Sequence, residues 1–277
     1  MTAAQDPWES TDTARAYADF ACRHSTYRQT SHDLIALARL TADAKVVDLA
    51  CGTGTTTEAV LAVVGASGSV VAVDASEAML AAARASIADE RVTWLRGPAE
   101  RLGEQALHHM DAVVCNSAIW QTNVSATVRE VYRVLRPGGR FVFNLGTAML
   151  ADHVAVNRSP DSLLELMKAI AGREYGLIAP SPVSVDLPSQ ELSESWLRHV
   201  MSDTGFHVEK TRTFSYQSSL EEQRSWLSIP IFTLRSFGDL SYKDRMTVLD
   251  LAYQRLTETM PEPVNTEWMV FTAVRAE

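Results

Sequence analysis

No run of eighteen apolar residues occurs in the 277-residue chain, so none of its helices is expected to cross a bilayer. The first twelve residues, Met1 to Asp12, lack the basic start and the apolar stretch of an export signal, and a cytoplasmic protein is the expectation. Cysteine is scarce: Cys22, Cys51 and Cys115 lie far apart without a C-x-x-C pair, which argues against a disulfide framework and against a metal site. Positive charge is short as well, with 25 Lys and Arg against 34 Asp and Glu and a formal net charge of −9. That balance offers no general field to a phosphate backbone, so a small-molecule partner is favoured over nucleic acid or membrane, as a monomer or homodimer. Repeats, low-complexity tracts and charge blocks are missing too, which leaves no sign of a solenoid, a disordered tail or a coiled coil.

What is present is an alternation. Short β-branched runs at 46–47, 70–73, 92–95, 112–115 and 141–143 alternate with stretches 55–64, 77–88 and 125–135, in which apolar residues recur three or four apart. The runs predict five parallel strands and the stretches predict helices covering their faces. Residues 136–140, Arg-Pro-Gly-Gly-Arg, predict a turn between a helix and a strand. Farther on, 193–204 is helical in pattern with Gly205 ending it, 207–216 alternates like a strand, and 267–275 is a last apolar strand. The fold class expected is α/β: a doubly wound, seven-stranded, mostly parallel Rossmann-like sheet with a helical N-terminal lid and two helical cap insertions. Its parts within one domain over 1–277 are a lid (1–43), a core (44–146), a first cap (147–190), a core helix and strand (191–217), a second cap (218–265) and a final strand (266–277).

In such a sheet the ligand crevice lies at the carboxyl ends of the strands. There the first strand runs into Asp48-Leu-Ala-Cys-Gly-Thr-Gly54, where Gly52 and Gly54 let the backbone turn sharply and aim helix N–H groups at a ligand. A dinucleotide turn wants a third glycine at Thr57 and gives no reason for an acid at position 48. A carboxylate there suits an ammonium or sulfonium ligand and repels pyrophosphate, which disfavours NAD. Twenty residues past Gly54, Asp74 ends the second strand at the spacing used for ribose hydroxyls.

Three segments in order, 46–54, 73–76 and 134–141, resemble class I S-adenosylmethionine-dependent methyltransferases over residues 45–145, with a texture similar to small-molecule methyltransferases of bacterial secondary metabolism and antibiotic biosynthesis. The resemblance implies S-adenosylmethionine as cofactor and S-adenosylhomocysteine as product. It places Ala50, Gly52 and Gly54 on the methionine part and Asp48 beneath the turn. It also sets Asp74 on the ribose and Ala75 and Met79 about the adenine. Ala50 stands where glycine is usual, and Pro98 where many members carry an acid or amide, which leaves the adenine amine to the backbone at Ala99 and to Glu100. Asn116, with Trp120, marks the switch region after the fourth strand, and Tyr17 in the lid is expected against the methionine moiety.

Methyl transfer from a sulfonium is an in-line displacement that needs alignment and water exclusion, and a base where the acceptor is a phenol, acid or enol carbon. His24, Tyr27 and His153 are the candidates. Trp120, Met167, Trp226 and Phe232 are expected to line an apolar pocket for a lipophilic metabolite, with O- or C-methylation favoured. Two alternatives stand beside this: a cofactor-binding relative acting as a cyclase or non-methylating binder, and an RNA or protein methyltransferase.

Overall fold

Alternate side chains of each strand point to opposite faces, and the Val-rich runs supply both faces with apolar groups. The structure is a computed structural model that describes residues 7–105, 107–152, 163–176, 192–259 and 264–276. Its strands are β1 (Lys45–Leu49), β2 (Ser69–Asp74), β3 (Val92–Arg96), β4 (Met110–Asn116), β5 (Leu135–Gly146), β6 (Phe206–Val208), β7 (Arg212–Ser218) and β8 (Val264–Arg275). They form one sheet in the order β3-β2-β1-β4-β5-β8-β6, with β7 also paired to β8. Strands β1 to β5 are parallel, and β8 runs antiparallel to β5, β6 and β7.

The strand count differs from the expected seven for a local reason. Residues 207–216 do follow one line along β8, but pairing passes from Val208–Ala273 to Arg212–Val270, four residues on one strand against three on the other. One residue is therefore extra, and the bulge splits the expected strand into β6 and β7. The Pro-Gly-Gly turn is also absorbed into a strand. Leu135 pairs with Met110 and Arg140 with Ala112, so residues 136–139 loop out within β5, with Gly138 at φ +75°.

The helices are α1 (Thr11–Arg23), α2 (Thr26–Ala38), α3 (Thr55–Leu61), α4 (Glu77–Ser86), α5 (Val124–Val134), α6 (Leu163–Tyr175), α7 (Glu194–Thr204), α8 (Leu220–Leu227), α9 (Pro230–Phe237) and α10 (Tyr242–Thr257). Several begin on a side-chain cap: Ser76 accepts from the Met79 N–H, Asn123 from Ala126 and Ser193 from Trp196. On one face of the sheet α5 and α7 bury Val128, Val131 and Leu197 against Val47, Val113, Phe141 and Phe143. On the other, α2 and α3 bury Leu34, Ile35 and Val60 against Val46, Val114 and Val142.

The two insertions pack on each other rather than separately. Leu163, Met167 and Ile170 of α6 share a satellite core with Leu227, Phe237, Val248 and Leu249 of α8 to α10. Met167 is fully buried there. His153, one of the candidate bases, lies outside the described residues.

Candidate functional site

At the end of β1 the chain turns through three left-handed residues in five, Ala50 (φ 54°), Gly52 (φ 55°) and Gly54 (φ 95°). Ala50 holds this conformation with a Cβ, a local strain of the kind found at ligand sites. At Gly54 a Cβ would lie 2.5 Å from Ile87 Cδ1, so the position requires glycine for space as well as for φ. Gly54 is the N-cap of α3, which leaves the first N–H groups of that helix facing the crevice.

Asp74, at the end of β2, ties the turn down: Oδ2 accepts from the Gly52 N–H at 2.8 Å and Oδ1 from the Ser76 N–H at 2.9 Å. The half-buried carboxylate faces a cavity of about 220 Å³. Asp48 lies beneath, with 1 % of its surface exposed. Thr57 Oγ1 donates to its Oδ2 at 2.6 Å, while its Oδ1 is buried without a hydrogen-bond partner among the described residues. Burial, reinforced by the nearby Asp74, pushes the Asp48 carboxyl up to about 7 against the opposing effect of Thr57.

The cavity wall rises from this floor. Ala50 and Gly52 form one side, Ala75 and Met79 a second, Pro98, Ala99 and Glu100 a third, and Asn116 a fourth. Tyr17 covers the turn: a Cβ on Gly52 would sit 3.9 Å from its ring. Tyr17 stacks on Tyr27 at 5.5 Å between centroids, and the Trp226 indole N–H donates to the Tyr27 hydroxyl at 2.9 Å. Burial raises the pKa of both phenols, so they stay protonated near neutrality. Tyr27, one of the candidate bases, thus reaches the cavity as a neutral hydrogen-bonding group near neutrality.

Other expected residues take different positions. Asn116 lines the cavity, yet its Nδ2 donates to Ser31 Oγ at 2.9 Å and Thr30 Oγ1 at 3.2 Å, holding α2 to the end of β4. Glu100 lines it too, while its Oε1 accepts from the Asn123 N–H at 2.6 Å, the entry to α5. Gly54 shapes the turn from behind, and Asp48 from below, without lining the cavity. Among the expected acceptor-site residues, Trp120 donates its indole N–H to Ser117 O at 2.9 Å and packs on the sheet core, Trp226 stacks with Phe232 at 3.8 Å, and Met167 fills the satellite core. None of these four borders the cavity. His24 ends α1 against Phe20 at 4.8 Å and does not border it either.

Sequence reasoning missed Trp8, Cys51, Ser76, Ser117 and Gln121, all of which border the cavity. Ser76 had a signal, as a cap before an amphipathic helix. Its hydroxyl donates to Trp8 O at 2.7 Å, and the ion pair of Arg96 with Glu9 at 2.8 Å pins the same segment over the site. Among the described residues the lining holds Asp74 and Glu100 and no Lys, Arg or His. Such a site suits a cationic ligand with a ribose-like diol and offers no counter-charge to a phosphate.

Residues 46–139 match a family described as the methyltransferase domain. Similar curated proteins include the demethylmenaquinone methyltransferase of Lactococcus lactis subsp. lactis, 38% identical over 101 residues, 35% of this chain and 40% of that one. Another is the ubiquinone biosynthesis O-methyltransferase of Pseudomonas putida, 32% identical over 134 residues, 47% of this chain and 51% of the other. The chain thus matches about half the length or less of these relatives. Among solved structures, the cyclopropane synthase MmaA2 of Mycobacterium tuberculosis has a similar fold, with a TM-score of 0.57 and 15% identity over 89% of this chain and 83% of that one. Residues 46–139 thus match a methyltransferase domain in sequence, and the chain shares its Rossmann-like fold, with helices folded over the crevice, with that solved structure.

Proposed function

We propose that the chain transfers a methyl group from S-adenosylmethionine to a small lipophilic acceptor. The observation that carries this reading is the cavity at the ends of β1, β2 and β4: a left-handed glycine turn, a carboxylate at a ribose position and no basic side chain among the described lining. In it Asp74 receives the ribose hydroxyls, Ala75 and Met79 flank the adenine, Ala99 and Glu100 border its edge, and Ala50, Gly52 and Asn116 cradle the methionine end under Tyr17. When bound, the cofactor supplies a methyl group on a positively charged sulfur, already activated for displacement.

The protein's part is alignment and exclusion of water. Trp8 and Tyr17 close over the turn, and Tyr27 orients what meets it through its hydroxyl. One curated relative is named for demethylmenaquinone and the other for O-methylation in ubiquinone biosynthesis, which supports a lipophilic quinone-like ring as acceptor and O- or C-methylation as the outcome. The cluster of Phe20, Tyr27, Trp226, Phe232 and Trp268 beside the cavity supports the same class of acceptor.

Thermal unfolding with added ligands tests the cofactor, because a ligand of the folded state raises its stability. S-adenosylmethionine and S-adenosylhomocysteine should each raise Tm, by an amount growing with concentration, and NAD should not. Stabilisation by NAD alone would overturn the reading. Incubating the protein and methyl-labelled S-adenosylmethionine with quinol and phenol extracts should then yield one product carrying the label, seen by mass spectrometry.

A further inference from the structure

Beneath the turn, Asp48 is the one member of an acid pair left uncompensated. Asp74 has two backbone N–H donors from separate residues, whereas Asp48 has Thr57 alone, through its hydroxyl and more weakly its backbone N–H, and one buried oxygen with no partner among the described residues. The titratable groups that act on or near it are Asp74 from β2, Cys51 from the turn and Cys115 from β4. All are acids, and burial raises both thiols so that they stay neutral. A fully buried carboxylate without a cation is costly, and the ordinary remedy is to keep the proton. The missing cation is what a sulfonium ligand would bring to the other side of the Ala50–Gly52 turn.

Resting on the proposed cofactor, we infer that Asp48 is a specificity residue that reads the charge on the ligand's sulfur, holding a proton in the ligand-free site and giving it up to solvent when a sulfonium binds. The exchange is one proton from the Asp48 carboxyl to bulk water for one positive charge entering the site. When the methyl leaves, its bonding electron pair stays on sulfur, the sulfur becomes neutral and Asp48 takes a proton back from solvent. Asp48 thereby favours donor over spent product by charge alone, without touching either. The value of about 7 for its carboxyl puts this exchange in the physiological range.

Isothermal titration calorimetry in buffers of different ionisation enthalpy counts the proton. At pH 6, below the titration of the ligand's own α-amino group, S-adenosylmethionine should release close to one proton and S-adenosylhomocysteine much less. Donor affinity should rise about fivefold from pH 6 to pH 7, the fraction of Asp48 that is ionised beforehand rising from about a tenth to about half. Asp48→Asn should bind donor with no proton release and no such pH dependence. Thr57→Val is a second reporter: without the hydroxyl donor, release persists to higher pH. Donor binding by the wild type without proton release, or release unchanged in Asp48→Asn, defeats the inference and leaves the cofactor reading standing. Failure of both sulfur ligands to bind defeats the cofactor reading itself, and the inference with it.

Discussion

Asp74 shows how one side chain can serve fold and ligand together, since both of its oxygens already hold backbone N–H groups of the turn and of the α4 entry. Asp74→Asn keeps one acceptor and loses the charge. Hydrogen bonds to charged groups contribute about 1.5–3 kcal/mol, so donor affinity should fall roughly tenfold to a hundredfold by calorimetry. Gly54→Ala asks for a Cβ at φ +95° and 2.5 Å from Ile87 Cδ1. It should lower unfolding stability by about 1–3 kcal/mol in denaturant titrations, and wild-type stability in that variant would remove the steric argument. These residues were legible in the sequence because each sits at a fixed step from a strand end. Asn116 was legible as a place but not as a role: its amide is turned toward Thr30 and Ser31 of α2, which no local pattern announces. Trp8 and Ser117 border the cavity through tertiary placement, Ser117 at φ 58° with its N–H held at 2.7 Å by Asn144 Oδ1, a residue two strands' pattern gave no reason to single out.

Elements were easier to read than their junctions. Strand and helix order along residues 45–145 follows directly from periods of two and 3.6 with serine and asparagine caps. The break between β6 and β7 comes from one extra residue within Glu209-Lys210-Thr211, which has no glycine or proline to mark it. The caps are hard to read for another reason: apolar stripes at helical spacing look alike whether they cover a ligand or another helix. Met167 faces α10 in the satellite core, and Trp226 spends its indole N–H on Tyr27. Met167→Ala should therefore cost about 2–5 kcal/mol of stability by cavity formation while donor affinity stays unchanged. Loss of methylated product at unchanged Tm and unchanged donor affinity would return Met167 to the acceptor site. Helix α8 joins the lid at three points: Glu222 to Thr26 at 2.5 Å, Ser225 to Arg23 at 3.4 Å and Trp226 to Tyr27. Those links carry the second cap's influence to the cavity without its side chains lining it.

Across the whole molecule the formal net charge is −9, and among the described residues the buried acids are Asp48 under the ligand turn and Glu222 in α8. Among the carboxyls of the described residues with displaced titration, Asp43 and Asp89 are displaced downward by hydrogen bonds, from Thr41 and Arg91 first, Asp43 at an exposed and Asp89 at a half-buried position. Asp48 is displaced upward, by burial first. The folded state therefore keeps a proton on Asp48 that the unfolded chain gives up in the ordinary carboxylate range. Its contribution to stability is fully present below that range and is lost as pH rises to about 7, with a slope of at most about 1.4 kcal/mol per pH unit. Ligand-free protein should accordingly lose stability in denaturant titrations between pH 5 and pH 7, and Asp48→Asn should flatten that loss and be the more stable protein at pH 8. A sulfonium ligand offsets the same cost by supplying the absent cation, so its stabilising effect at saturation should be larger at pH 8 than at pH 6. Equal pH profiles for wild type and Asp48→Asn would mean that the buried carboxyl is ionised throughout, with its charge compensated elsewhere in the fold.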